Sequence, residues 1–101
     1  LGFQLFVEMV KTKAPFVKKI LYLEIHPSPV DEPLWNYIAQ ANEKLETICS
    51  HNPLLEFVKY KFLLEDEKGN LDSANFIEDR LHFSQKFYHR FAEFLKPKLI
   101  I

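Results

Sequence analysis

The stretch Leu54-Leu55-Glu56-Phe57-Val58-Lys59-Tyr60-Lys61-Phe62-Leu63-Leu64-Glu65 decides the fold class, because it supports two readings. Leu55, Val58 and Phe62 recur at the spacing of a helix face. Val58, Tyr60, Phe62 and Leu64 also alternate with Lys59, Lys61 and Glu65, in residue types that favour strands. We read residues 54–65 as helix, which makes the protein all-α, a compact bundle of four or five helices. In the alternative, residues 57–64 form a strand that pairs with residues 20–25. Leu21-Tyr22-Leu23-Glu24-Ile25 has the composition of a short buried strand, and the pairing gives an α+β protein with a small two-stranded sheet.

Downstream lies the turn-like Lys68-Gly69-Asn70, and beyond it the spacing predicts a long helix from about Asp72 to Leu95. Asp72 or Ser73 can cap it. Phe76, Ile77, Leu81, Phe87, Tyr88, Phe91, Phe94 and Leu95 follow at helical intervals. Phe83 falls off that line, so this helix is expected to be covered on more than one side. Upstream, a second helix is predicted over about Pro33–Cys49, with Asp31 and Glu32 at its positive end. Residues 2–26 read as helical with a break at Pro15, and His26-Pro27-Ser28-Pro29 is a loop.

Composition narrows the class. The 101 residues are 48% hydrophobic and 15% aromatic with only two glycines, the profile of one globular domain spanning 1–101. Two glycines cannot build a phosphate-cradling loop, which argues against nucleotide binding. No apolar run is long enough to span a bilayer. A lone cysteine, Cys49, excludes an internal disulfide and points to an intracellular, reducing compartment. The apolar ends, with Leu1 in place of Met and Leu99-Ile100-Ile101 at the finish, suggest a trimmed piece or docking termini.

Charge is uneven although the net is −1. Residues 1–20 sum to +3 and residues 80–101 to +4, around an acidic middle. Lys11, Lys18, Lys19, Lys86 and Arg90 would form one basic patch if the end helices packed together, which is the nucleic-acid-binding alternative.

Three constellations bear on chemistry. The loop Leu64–Asn75 around Gly69 has a calcium-loop outline, but Leu64 and Asn75 stand where the end ligands belong. Asp79 and Glu78 lie three and four residues before His82, one half of a di-iron pattern with no second half. Cys49 and His51 are nearly adjacent, whereas a thiolate–imidazole pair is normally assembled from separate elements. No catalytic, metal or cofactor site is therefore expected, and no cofactor. The functional expectation is a protein–protein interaction module, or a small non-catalytic subunit, whose partner is another protein or a second copy. Phe83, Phe87, Phe94, Leu99 and Ile100 are its expected docking residues. A small enzyme or ligand-binding domain would instead need an aromatic pocket into which His51, His82 or His89 projects.

Overall fold

Leu55 and Tyr60 lie five positions apart yet enter different cores, and that division organises the molecule. The computed structural model describes residues 2–99. In chain order these form α1 (Gly2–Lys13), β1 (Ile20–Leu23), a 3₁₀ turn (Pro29–Leu34) running into α2 (Trp35–Ser50), β2 (Leu55–Val58), 3₁₀ turns at Lys61–Leu64 and Ser73–Asn75, and α3 (Gln85–Leu99).

The all-α bundle is thus overturned. Three α-helices accompany a two-stranded parallel sheet in which Ile20–Leu23 pairs with Leu55–Val58, and the α+β alternative is the one that fits. The pairing starts two residues earlier than its 57–64 estimate, and Lys61–Leu64 winds into a 3₁₀ turn. The cause is Glu24. Its Oε2 accepts from the Tyr60 and Lys61 N–H groups at 2.5 and 2.7 Å, which ends the ladder and caps that turn.

The predicted 72–95 helix is also divided. Asp72 does cap, but only the turn Ser73–Asn75, through Ala74 N–H. Phe76 and Phe83 then pair across an antiparallel bridge. α3 begins after Ser84, whose Oγ accepts from Phe87 N–H at 3.3 Å. The Pro33–Cys49 helix exists as α2, which starts two residues later and ends one residue later, with Asp31, Glu32 and Pro33 in the preceding 3₁₀ turn.

Burial is split between two small cores. Val7 of α1, Cys49 of α2 and Leu55 of β2 form one, flanked by Phe3, Ile20 and Tyr22. Tyr60, Leu64, Phe76 and Phe87 form the other, with Phe83, Phe91 and Phe94 against it. A second tie crosses between them: Lys98 near the end of α3 donates to Glu56 of β2 at 2.7 Å.

Much of the molecule stays uncovered. Its surface is 7447 Å², against about 6,000 Å² for a compact monomer of this mass. Its radius of gyration is 15.4 Å, where about 13 Å is usual for this length. Leu5, Phe6 and Met9 make an exposed apolar face on α1. The outer edge of β1 pairs with no strand among the described residues. Ile20 and Glu24 aim their N–H groups toward β2, so by alternation Leu21 and Leu23 present theirs to that open edge. No helix among the described residues is long and apolar enough to cross a membrane.

Candidate functional site

The reversal between Phe76 and Phe83 is built by Asp79. Its Oδ1 accepts from the N–H groups of Leu81 and His82 at 2.9 and 3.0 Å, an Asx-type turn. Ile77 N–H donates to the His82 carbonyl and Arg80 N–H to that of Ile77, both at 2.9 Å. Arg80 sits at φ 60°, the left-handed region that a non-glycine residue enters only when held there. Two contacts hold it. Its carbonyl accepts from Val30 N–H at 3.2 Å, and its Nη2 donates to the Pro29 carbonyl at 3.3 Å.

This turn delivers the remaining oxygen, Asp79 Oδ2, to 2.5 Å from His82 Nδ1. The His82 side chain, helped by the His82 and Leu81 N–H groups, holds the Asp79 carboxyl down to about 2. A carboxylate that stays ionised fixes the neutral imidazole with its proton on Nδ1 and its lone pair on Nε2. The pair is exposed, and exposed apolar side chains belong to its turn: Ile77 and Leu81 within it, and Val30 bonded to it through the Arg80 carbonyl.

Spacing alone offered Asp79 and His82 as a helical metal half-site. The structure brings the two together, but on a turn, and Glu78 joins neither. Among the described residues no group of three or more His, Cys, Asp or Glu side chains converges to hold a metal. Cys49 and His51 are not brought together: Cys49 is enclosed, and His51 Nδ1 faces the Thr47 carbonyl at 2.8 Å. Burial pushes the Cys49 thiol up, away from the reactive thiolate. His89 is exposed on α3.

A groove of about 910 Å³ runs beside α2 and reaches the turn at Arg80. Trp35, Ile38, Phe57, Phe62 and Leu71 give it apolar walls. Five carboxylates and three cations also line it. Lys59 is held by Glu46 at 2.8 Å and Lys61 by Glu65 at 3.8 Å. Glu32 and Glu43 have no cation within ion-pair distance among the described residues.

The docking residues expected from sequence are scattered. Phe87 is 0% exposed and anchors a core, while Phe83 packs on His26, Phe76 and Phe87. Phe94 lies against Phe62 and beneath Lys98, Leu99 is exposed, and Ile100 lies outside the described residues. All five of the basic set are exposed; Lys11 pairs with Glu8, Lys19 lies 4.0 Å from Glu56, and Arg90 donates to Asn75, while Lys18 and Lys86 have no carboxylate within ion-pair distance among the described residues. The basic ends do approach one another, since Lys19 and Lys98 meet at Glu56, whose carboxylate offsets one of their two charges. Comparison with known protein families, curated proteins and solved structures finds no match for the chain.

Proposed function

We propose that the chain works as one part of a larger protein assembly and carries into it a general base, His82, oriented by Asp79. The observation behind this reading is the Asp79–His82 pair standing among uncovered apolar side chains. An imidazole held at Nδ1 by an ionised carboxylate accepts a proton at Nε2 from a hydroxyl or water placed there. That step suits acyl transfer or ester hydrolysis through a hydroxyl nucleophile. The nearest hydroxyl in sequence is not free for it: Ser84 Oγ donates to the Ala74 carbonyl at 2.8 Å and caps α3. We therefore place the nucleophile on the surface that covers this one. Covering would also exclude water, which strengthens each polar contact at the reacting centre.

The docking part of the sequence reading supports the same proposal through the excess surface and the open edge of β1. The change is that the docked part is catalytic. Two measurements test it. In the isolated chain, nitrogen NMR is expected to find neutral His82 protonated at Nδ1, with Asp79→Asn reversing the tautomer. In the assembly purified with its partner, His82→Ala is expected to slow hydrolysis of p-nitrophenyl acetate by about 10³-fold or more, and Asp79→Asn by about 10²–10⁴-fold. Neutral His82 protonated at Nε2, or hydrolysis that survives His82→Ala, sinks the reading.

A further inference from the structure

Phe16 is the most exposed large apolar side chain among the described residues, at 79%. Its position is held, because Ala14 N–H closes on the Val10 carbonyl at 2.8 Å and Val17 N–H on that of Ala14 at 3.0 Å. Pro15 and Phe16 therefore form the tip of a tight turn, with its backbone pre-set by the proline. Lys13 and Lys18 flank it, and neither has a carboxylate within ion-pair distance among the described residues. The result is an aromatic knob between two uncompensated cations.

The groove beside α2 has the complementary chemistry. Its apolar walls suit a phenyl ring, and Glu32 and Glu43 at its margin lack cations. Glu24 adds a further acceptor to the groove. It is 8% exposed, and its Oε2 is saturated by two backbone N–H groups. No hydrogen bond reaches its Oε1 among the described residues, although Glu24 lines the groove. That oxygen is open to solvent and free to accept from a cation entering the groove.

We propose that the Lys13–Lys18 knob of one copy docks in this groove of a second copy, Phe16 between the walls and a lysine on Glu24. Knob and groove are different surfaces, so the contact is head to tail and repeats into a ring or an open chain. It uses neither Asp79 nor His82, so it stands apart from the acid–base reading.

Sedimentation of the full chain tests this. The wild-type mass is expected to rise above 12.0 kDa with concentration and to fall back at high salt. Phe16→Ala disables the knob; Ala39→Arg with Glu43→Lys disables the groove, and all three positions are exposed, so folding is preserved. Each variant alone is expected to be monomeric, with association at least tenfold weaker. Mixed, they are expected to form a 1:1 complex that grows no further, since one intact knob and one intact groove remain. A wild type that stays monomeric throughout overturns the proposal, as does Phe16→Ala associating like wild type through another face. A mixture that stays monomeric while the wild type associates overturns it too. None of these outcomes alters the His82 tautomer, so failure here leaves the functional reading to its own test.

Discussion

His26 lies against Phe83, ring centroids 4.3 Å apart, with Phe76 at 6.4 Å and its own Nε2 buried without a hydrogen-bond partner among the described residues. Burial pushes its imidazole below the ordinary value, and the charge of His82 adds to this against the Leu81 carbonyl and Asp31. The unfolded ring takes up a proton near 6.5 while the folded ring resists it. Stability is therefore expected to be complete above that pH and to decline as pH falls through it. Urea midpoints at about pH 7.5 and about pH 5.5 measure the decline, and His26→Phe should shrink it. An unchanged difference in His26→Phe would place the effect elsewhere. At this scale the sequence disclosed chemistry better than geometry. Asp79 and His82 were visible as a pair because they lie three positions apart, but that interval serves a helix and an Asx turn equally. His26 was legible only as part of a proline-rich loop, because nothing in its neighbours announces the rings of residues 76 and 83.

α3 shows how one hydroxyl sets an element boundary. Ser84 both caps the helix and donates to Ala74, whereas the apolar spacing runs on unbroken from Phe76 through Leu81 to Phe94. Periodicity therefore merged a turn, a bridge and a helix into one. Ser84→Ala is expected to lower stability by about 1 kcal/mol through loss of the cap. Phe87→Ala, three residues on, is expected to cost about 3–5 kcal/mol, because its ring is wholly enclosed in the aromatic core. Urea unfolding of the two variants ranks them; equal losses would mean that Phe87 is not the anchor its burial implies. α2 was legible to within two residues at its start and one at its end; Pro33 and the acidic pair before it mark the 3₁₀ turn that runs into it. For residues 54–65 the local pattern was balanced. The outcome was decided by Glu24, 36 and 37 positions before the Tyr60 and Lys61 it bonds.

For the whole molecule, composition implied an ordinary globular domain, and the finding is two small cores with a large uncovered surface. Tyr60, adjacent to the sheet, belongs to the C-terminal core, where burial and the nearby Glu24 charge push its phenol up to about 12. Nothing in percentages of apolar residues says whether they gather in one place. Small-angle scattering of the isolated, dilute chain is expected to return a radius of gyration nearer 15.4 Å than about 13 Å. A value at the lower figure would mean that the chain closes on itself, removing the uncovered surface that motivates a covering partner. The acidic groove and the basic ends were readable as charge segregation in the sequence, but their shapes were not. A knob depends on the turn at Ala14–Val17, and a groove on what α2 leaves open.

The parallel pairing of β1 with β2 also determines how the fold bears mechanical load. The chain enters the ladder at Ile20, paired with Leu55, and leaves it at Val58, paired with Leu23. Tension applied through the two ends of the polypeptide therefore draws these strands lengthwise past each other. Their bonds share the force simultaneously instead of opening in succession. The clasp between Glu56 and Lys98 joins the second of these strands to α3, so part of a pull on the C-terminal helix bypasses the aromatic core and passes straight to the sheet. A sheet of only two strands is thereby placed where it resists stretching best.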